Sequence, residues 1–264
     1  MSAVSFEEIL SFAQVSLDSY LPLSEIKDKY GDSLLALGEE KKHDVRYFMF
    51  KHDGGVFLAF RGTADLENAL TDGEYGMRFD KELGVYVHVG FQSAYKCVAQ
   101  ALEHQMESVI ASGLPIRITG HSLGGAVAVL ALIHLSLTPA NLKSVITFGQ
   151  PKVTGKNGPV KFRELPLLRI VDKEDLVPLV PPLTLGNEIH GGYHHFGREL
   201  LLLDGDYYCL LEERVAEEYK VSSFWENICH ESFKDHYMTN YIKGVNAKVL
   251  KSRLIPYDDR KKYE

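Results

Sequence analysis

Cysteine is scarce in this chain. Cys97, Cys209 and Cys229 are odd in number, far apart and in no C-x-x-C arrangement. That excludes a disulfide framework and a zinc ribbon and fits a reducing compartment. Positive charge is not in excess either. The 29 Lys and Arg stand against 36 Asp and Glu, a net charge of -7, so nucleic-acid binding, which wants a basic face, is not expected. No apolar run is long enough to span a bilayer; the longest, Ala126 to Leu137, is interrupted by His134 and Ser136. The start, Met1 to Glu8, has neither a basic n-region nor a long apolar h-region. The expected location is therefore cytoplasmic, or outside by a route without a cleavable signal. G-x-G-x-x-G and Gly-Lys-Ser/Thr are missing too, which removes the dinucleotide and P-loop readings. No internal repeat, low-complexity tract or linker divides the chain, so one domain over residues 1–264 is expected.

What is present fits a soluble protein with a sizeable core: 45% hydrophobic and 25% charged residues. Ser5 with Glu8 three residues on reads as a capping box opening an amphipathic helix. Asp44 to Lys51 alternates, with Val45, Tyr47 and Met49 on one face. After the turn signal His52-Asp53-Gly54-Gly55, the run Val56 to Phe60 reads as a strand buried on both faces. Asp65 to His88 mixes acids with large apolar residues and keeps no period, the mark of a long functional loop. From Gln92 a helical spacing runs to Gly113. Further buried-type strands are expected at Ile116 to Thr119, Ser144 to Phe148 and Leu167 to Val171, then a hairpin around Asp204-Gly205-Asp206 and two C-terminal helical segments. Strands alternating with helices over this length predict an α/β fold with a mostly parallel central sheet and helices on both faces.

The chemistry centres on Gly120-His121-Ser122-Leu123-Gly124, between an apolar strand and an Ala-rich helix. This is G-x-S-x-G, a nucleophile elbow. The turn is sharp, so the residues two positions either side of the serine must be small, and the hydroxyl stands clear at the sheet edge beside a helix N-terminus. The same residues could also be a glycine-rich turn with an incidental serine. The rest of the chain has to decide, by supplying or withholding an acid and a base.

A serine hydroxyl needs a base to take its proton and a carboxylate to hold that base, in α/β-hydrolase order Ser, Asp or Glu, then His. Val171-Asp172-Lys173-Glu174-Asp175 offers carboxylates just beyond a strand. Asp175 is favoured and Asp172 is its rival. His190, His194, His195, His230 and His236 follow; His236, at the start of a late helix, leads and His230 is second. A metal reading of His190, His194 and His195 lacks a carboxylate or thiolate at regular spacing. For an oxyanion hole, the N–H of Leu123 needs a companion, and Thr63 in Phe60-Arg61-Gly62-Thr63 can provide one. Arg61 is read as a structural residue tying loops together.

Taken together, Ala59-Phe60-Arg61-Gly62-Thr63, Val87-His88-Val89-Gly90-Phe91, Thr119 to Ala126, Thr147 to Gly155, Glu174 to Pro178 and Asp235-His236-Tyr237 resemble, in order, the motifs of the class 3 lipase family, the fungal triacylglycerol lipase type. The resemblance implies an α/β-hydrolase fold and hydrolysis of carboxylic, acyl-lipid esters. It implies Ser122 as nucleophile, Asp175 as acid, His236 as base, and Thr63 with Leu123 as oxyanion hole. It implies a supporting role for His121 and a structural one for Tyr193 to Gly197. No metal or organic cofactor is implied. The partners are a lipid or other acyl-ester substrate and, transiently, a lipid interface. Where lipases acting at interfaces carry an amphipathic lid, Asp65 to Tyr86 here is acidic and patchily apolar. That difference keeps a short-chain or aromatic carboxylesterase as a second expectation, and a catalytically inactive hydrolase fold used for binding as a third.

Overall fold

The computed structural model describes residues 5–63, 76–173, 175–181, 191–211 and 236–263. Strand β3 (Gly55–Arg61) shows how the sheet is layered. All its residues are buried, and they alternate: Val56, Leu58 and Phe60 enter one apolar cluster, Phe57 and Ala59 another. A strand with a core on each side needs no polar face, which is why its sequence is a continuous apolar run. Its antiparallel neighbour β2 (Val45–His52) divides the same way, with Val45, Tyr47 and Met49 on one side and Phe48 and Phe50 on the other.

The main sheet has nine strands in the order β1-β2-β3-β6-β7-β9-β11-β12-β13. These are β1 (Leu34–Glu40), β2, β3, β6 (Ile116–His121), β7 (Leu142–Phe148), β9 (Leu167–Asp172), β11 (Arg198–Leu202), β12 (Tyr207–Leu211) and β13 (Arg253–Leu254). The run from β3 through β11 is parallel throughout. A second sheet, β10-β8-β5-β4, joins Tyr193–His194, Thr154–Gly155, Val85–His88 and Met77–Asp80.

Helices cover both faces. Helix α1 (Phe6–Asp18) starts on Ser5, whose hydroxyl accepts the N–H of Glu8 at 3.2 Å. Phe6, Ile9, Phe12 and Ala13 of α1 lie in one cluster with Met238, Tyr241 and Val245 of α6 (Met238–Asn246). On the other face lie α3 (Val89–Ala111) and α4 (Leu123–Leu135). Helix α4 is apolar all round and buried almost throughout, as a helix wedged between sheet and neighbouring helix must be. The short helices α2 (Leu23–Tyr30) and α5 (Gly158–Phe162) complete the set used here. Among the described residues no helix is long and apolar enough to cross a membrane.

Two sequence expectations change. Within the stretch expected to be an irregular loop, residues 77–80 and 85–88 pair as the antiparallel hairpin β4–β5; residues 64–75 lie outside the described residues. Asp80 makes that hairpin by accepting the N–H groups of Glu82 and Leu83, a local turn hidden from any periodicity count. Helix α3 starts three residues earlier than Gln92, because His88 caps it by accepting the Phe91 N–H at 3.3 Å. Of the two C-terminal helical segments, α6 is described and residues 212–235 lie outside the described set.

Candidate active site

The elbow is built from steric necessity. Ser122 has φ 59° and ψ -131°, a left-handed conformation that costs a non-glycine residue about 1–3 kcal/mol. Its N–H donates to the carbonyl of Phe148 at 3.0 Å, and its carbonyl opens α4 by accepting from Gly125 and Ala126. A Cβ on Gly120 would lie 2.2 Å from the carbonyl oxygen of Gly124, and one on Gly124 would lie 2.3 Å from that of Phe60. The residues two positions either side of the serine are glycine because backbone occupies the space.

Asp175 sits in the loop after β9, its own N–H returned to the carbonyl of Asp172 at 2.8 Å. Its Oδ1 accepts the Val177 N–H at 2.9 Å, and its Oδ2 accepts Nδ1–H of His236 at 2.8 Å. A carboxylate can only accept, so His236 carries its proton on Nδ1 and leaves Nε2 bare. Tyr241, one turn into α6, donates its hydroxyl to the same Oδ2. Burial alone would raise the Asp175 pKa; the charge and hydrogen bond of His236, with Tyr241 and the Val177 N–H, overcome it and hold the carboxyl below its ordinary value. Asp172 remains at the end of β9, and the histidine is on Asp175.

Phe148 and Gly149 link Ser122 to His236 at one sheet edge. Ser122 is bonded to Phe148, and the next residue, Gly149 (φ 54°), lies so close to the pair that a Cβ there would be 2.7 Å from His236 Cε1 and 2.8 Å from Asp175 Oδ2. Ser122 Oγ and His236 Nε2 are both buried, and neither has a hydrogen-bond partner among the described residues. Two such atoms in a packed interior cost stability unless they serve something.

His121 backs His236 from behind. Its Nε2 lies 2.6 Å from the carbonyl of His236 and its Nδ1 2.6 Å from the Tyr20 hydroxyl. The carbonyl accepts, so Nε2 carries the proton and Nδ1 accepts from Tyr20. The two rings are 4.4 Å apart. On the other side, Gly62 presses on the elbow: a Cβ there would stand 2.8 Å from Ser122 Cβ and 3.2 Å from the Leu123 nitrogen. This contact brings the Gly62-Thr63 loop beside the N-terminus of α4. Arg61 ties loops as expected, donating to the Gly62 carbonyl at 3.0 Å and pairing with Asp44.

The remaining histidines are placed elsewhere. His194 and His195 direct Nε2 to the carbonyls of Gly191 and Pro178, each at 2.7 Å; His190 and His230 lie outside the described residues. Among the described residues one group of metal-ligand types is close together, Glu40, His43 and Cys97, with ligand atoms within 4.8 Å of one another. It shares no residue with the site, and the Glu40 carboxylate already accepts from the His43 ring and from the N–H groups of Lys42 and His43. Tyr241, Tyr20 and Asp44 had no sequence signal: each is a common residue type outside any motif.

Two buried histidines give the fold an acid limit. Burial first, and the neighbouring His236 second, push His121 down to about 3 from 6.5. Burial pushes His88 down to about 4. Below pH 6.5 the unfolded chain therefore binds protons that the folded one refuses, and stability falls as pH drops from about 6.5 toward 4. Urea midpoints recorded across that window are expected to decline steadily, with a shallower slope in His88→Gln. A flat profile would contradict the buried neutral assignment.

A nucleophile elbow that ends a central parallel strand and opens a helix is the hallmark of the α/β-hydrolase fold, and this sheet is of that class. Comparison narrows it. Residues 57–185 match the family described as Lipase (class 3). The lipase of Rhizopus niveus is 36% identical over 148 residues, covering 50% of this chain and 36% of the lipase. Phospholipase A(1) DAD1, chloroplastic, of Arabidopsis thaliana is 34% identical over 159 residues, covering 50% of this chain and 35% of that protein. The matches thus span little more than a third of these relatives' own length. The crystal structure of the lipase from Rhizopus microsporus var. chinensis superposes with a TM-score of 0.63 at 27% identity, covering 76% of each chain. The chain is thus similar to class 3 lipases, over residues 57–185 in sequence and over most of its length in fold.

Proposed function

We propose that the protein is a serine hydrolase of carboxylic esters carried on acyl lipids. One observation carries the reading: Ser122 Oγ and His236 Nε2 are buried without partners among the described residues, while the other nitrogen of His236 is held on Asp175 at 2.8 Å. The strained φ of Ser122 and the names of the relatives, a lipase and a phospholipase A(1), support it.

In this reading Ser122 Oγ attacks the ester carbonyl as His236 Nε2 takes its proton. Asp175 keeps the imidazole in the required tautomer and stabilises the imidazolium. The N–H groups of Leu123 and Thr63 receive the negative oxygen of the tetrahedral intermediate, Leu123 aided by the positive end of α4. Collapse breaks the ester bond, and the alcohol leaves with the proton from Nε2. Water, deprotonated by the same nitrogen, then attacks the acyl-serine, releasing the acid and restoring Ser122. Every step uses side chains and peptide groups of this chain, and none requires a metal or organic cofactor.

Rates across an acyl-length series, on dispersed and on aggregated glyceride and phospholipid substrates, test the substrate class. The expected result is a gain with acyl length and above the aggregation point. Preference for acetyl or butyryl esters, with no gain on aggregation, would replace this reading with that of a soluble carboxylesterase. Failure of the folded protein to take a fluorophosphonate on Ser122 would reduce it to a binding fold.

A further inference from the structure

The turn between β1 and β2, residues 41–44, ends in Asp44, where the Glu40–Val45 pair closes the ladder. Asp44 has φ 51°, a left-handed conformation that aspartate tolerates better than most residues. Its carboxylate grips both residues that flank Gly62. Oδ1 pairs with the guanidinium of Arg61, whose same nitrogen reaches the Asp44 carbonyl at 3.3 Å, and Oδ2 accepts the Thr63 hydroxyl at 3.0 Å. Arg61 in turn donates Nε–H to the Gly62 carbonyl. The Asp44 carboxylate thus holds both ends of the Arg61–Thr63 segment, Glu39 lies 3.9 Å from the same guanidinium, and on the other side Gly62 abuts Ser122 and Leu123.

We propose that Asp44 is the positioning residue of the oxyanion loop. It touches no substrate; it acts through Thr63, fixing where that residue's N–H points. This rests on the hydrolase reading above and adds a residue to it. The grip on both residues flanking Gly62 is what points to a positioning role. The Asp44 side chain is 43% exposed while that of Arg61 is 9% exposed, so the pair is buried on one side only. Placement matters steeply at an oxyanion hole, where a displacement of about 1 Å can cost about a hundredfold in rate.

The test compares Asp44→Ala, Thr63→Val and the double variant, with Ser122→Ala beside them. Turnover and KM are measured on a soluble ester, affinity for an alkyl boronic acid that forms a tetrahedral adduct on the serine, and thermal midpoint. Asp44→Ala is expected to lower kcat by roughly tenfold to a hundredfold, to leave KM within about twofold, and to weaken boronate binding by the same factor as kcat/KM. Thr63→Val keeps its N–H but loses the tether, so it should behave alike. The double variant should be no worse than the poorer single, since both remove one tether. Unchanged kcat and boronate affinity in folded Asp44→Ala, or losses that multiply in the double variant, would overturn the assignment. Turnover surviving in Ser122→Ala would instead sink the hydrolase reading itself.

Discussion

Ser122→Ala is expected to lower turnover by about a millionfold, to abolish fluorophosphonate labelling, and to leave the thermal midpoint nearly unchanged. The size follows from the constellation. The three groups act as one unit, so losing the nucleophile forfeits the base and acid as well. The small stability effect follows from the same geometry. The hydroxyl is buried without a partner among the described residues, so its removal breaks no hydrogen bond to them, and alanine retains the same backbone strain. Asp175→Asn should cost less, roughly ten-thousandfold. There the amide can present an N–H to Nδ1 and turn the imidazole to the wrong tautomer. The same amide nitrogen then faces the Tyr241 hydroxyl in place of its acceptor oxygen, while the Val177 N–H keeps an uncharged one. Steady-state rates on a chromogenic ester, with circular dichroism as a fold control, check both. Residual turnover of Ser122→Ala within a hundredfold of wild type would mean that another residue is the nucleophile.

Gly120→Ala and Gly124→Ala should be the most damaging single substitutions for folding. Each places a methyl group nearer to a carbonyl oxygen than any non-bonded contact allows, 2.2 Å and 2.3 Å. The obstructing atoms belong to the first turn of α4 and to β3, so no rotamer change relieves the contact. Shifting α4 would disturb the largest apolar cluster. A cost of about 3–5 kcal/mol is expected, against a typical total stability of about 5–15 kcal/mol. The thermal midpoint should drop by about 10 °C or more, if soluble protein is obtained at all. Gly205→Ala is the control. Its φ of 57° is also positive, but a Cβ there would meet no heavy atom within 4 Å, so only the conformational cost, about 1 kcal/mol, applies. Equal midpoints for Gly120→Ala and Gly205→Ala would refute the steric account of the elbow.

Much of this architecture was legible in the chain because the rules involved are local. A buried parallel strand is apolar without interruption, as in Val56 to Phe60. A sharp strand-to-helix turn forces glycine at both flanks of Ser122. A helix start shows itself at Ser5 and Glu8. The hairpin β4–β5 and the early start of α3 were missed for a local reason of another kind. Asp80 and His88 act through single side-chain-to-backbone bonds, which leave no periodic trace.

The chain order of Ser122, Asp175 and His236, and the family motifs around them, were therefore readable before any coordinates. The choice of Asp175 over Asp172 was inclined but open, since both stand at the end of one strand. Packing decided it. The imidazole of His236, 61 residues away, sits on Asp175, and Tyr241 reaches the same oxygen from α6. Gly149 carried no reason in the sequence for being glycine; in the fold it makes way for the His236–Asp175 pair. Asp44 and Tyr20 belong to the same order of fact. Sequence determines what a residue can donate, accept or tolerate in its own turn. Which atoms it meets depends on strand register and helix packing, and those are set by burying the whole core at once.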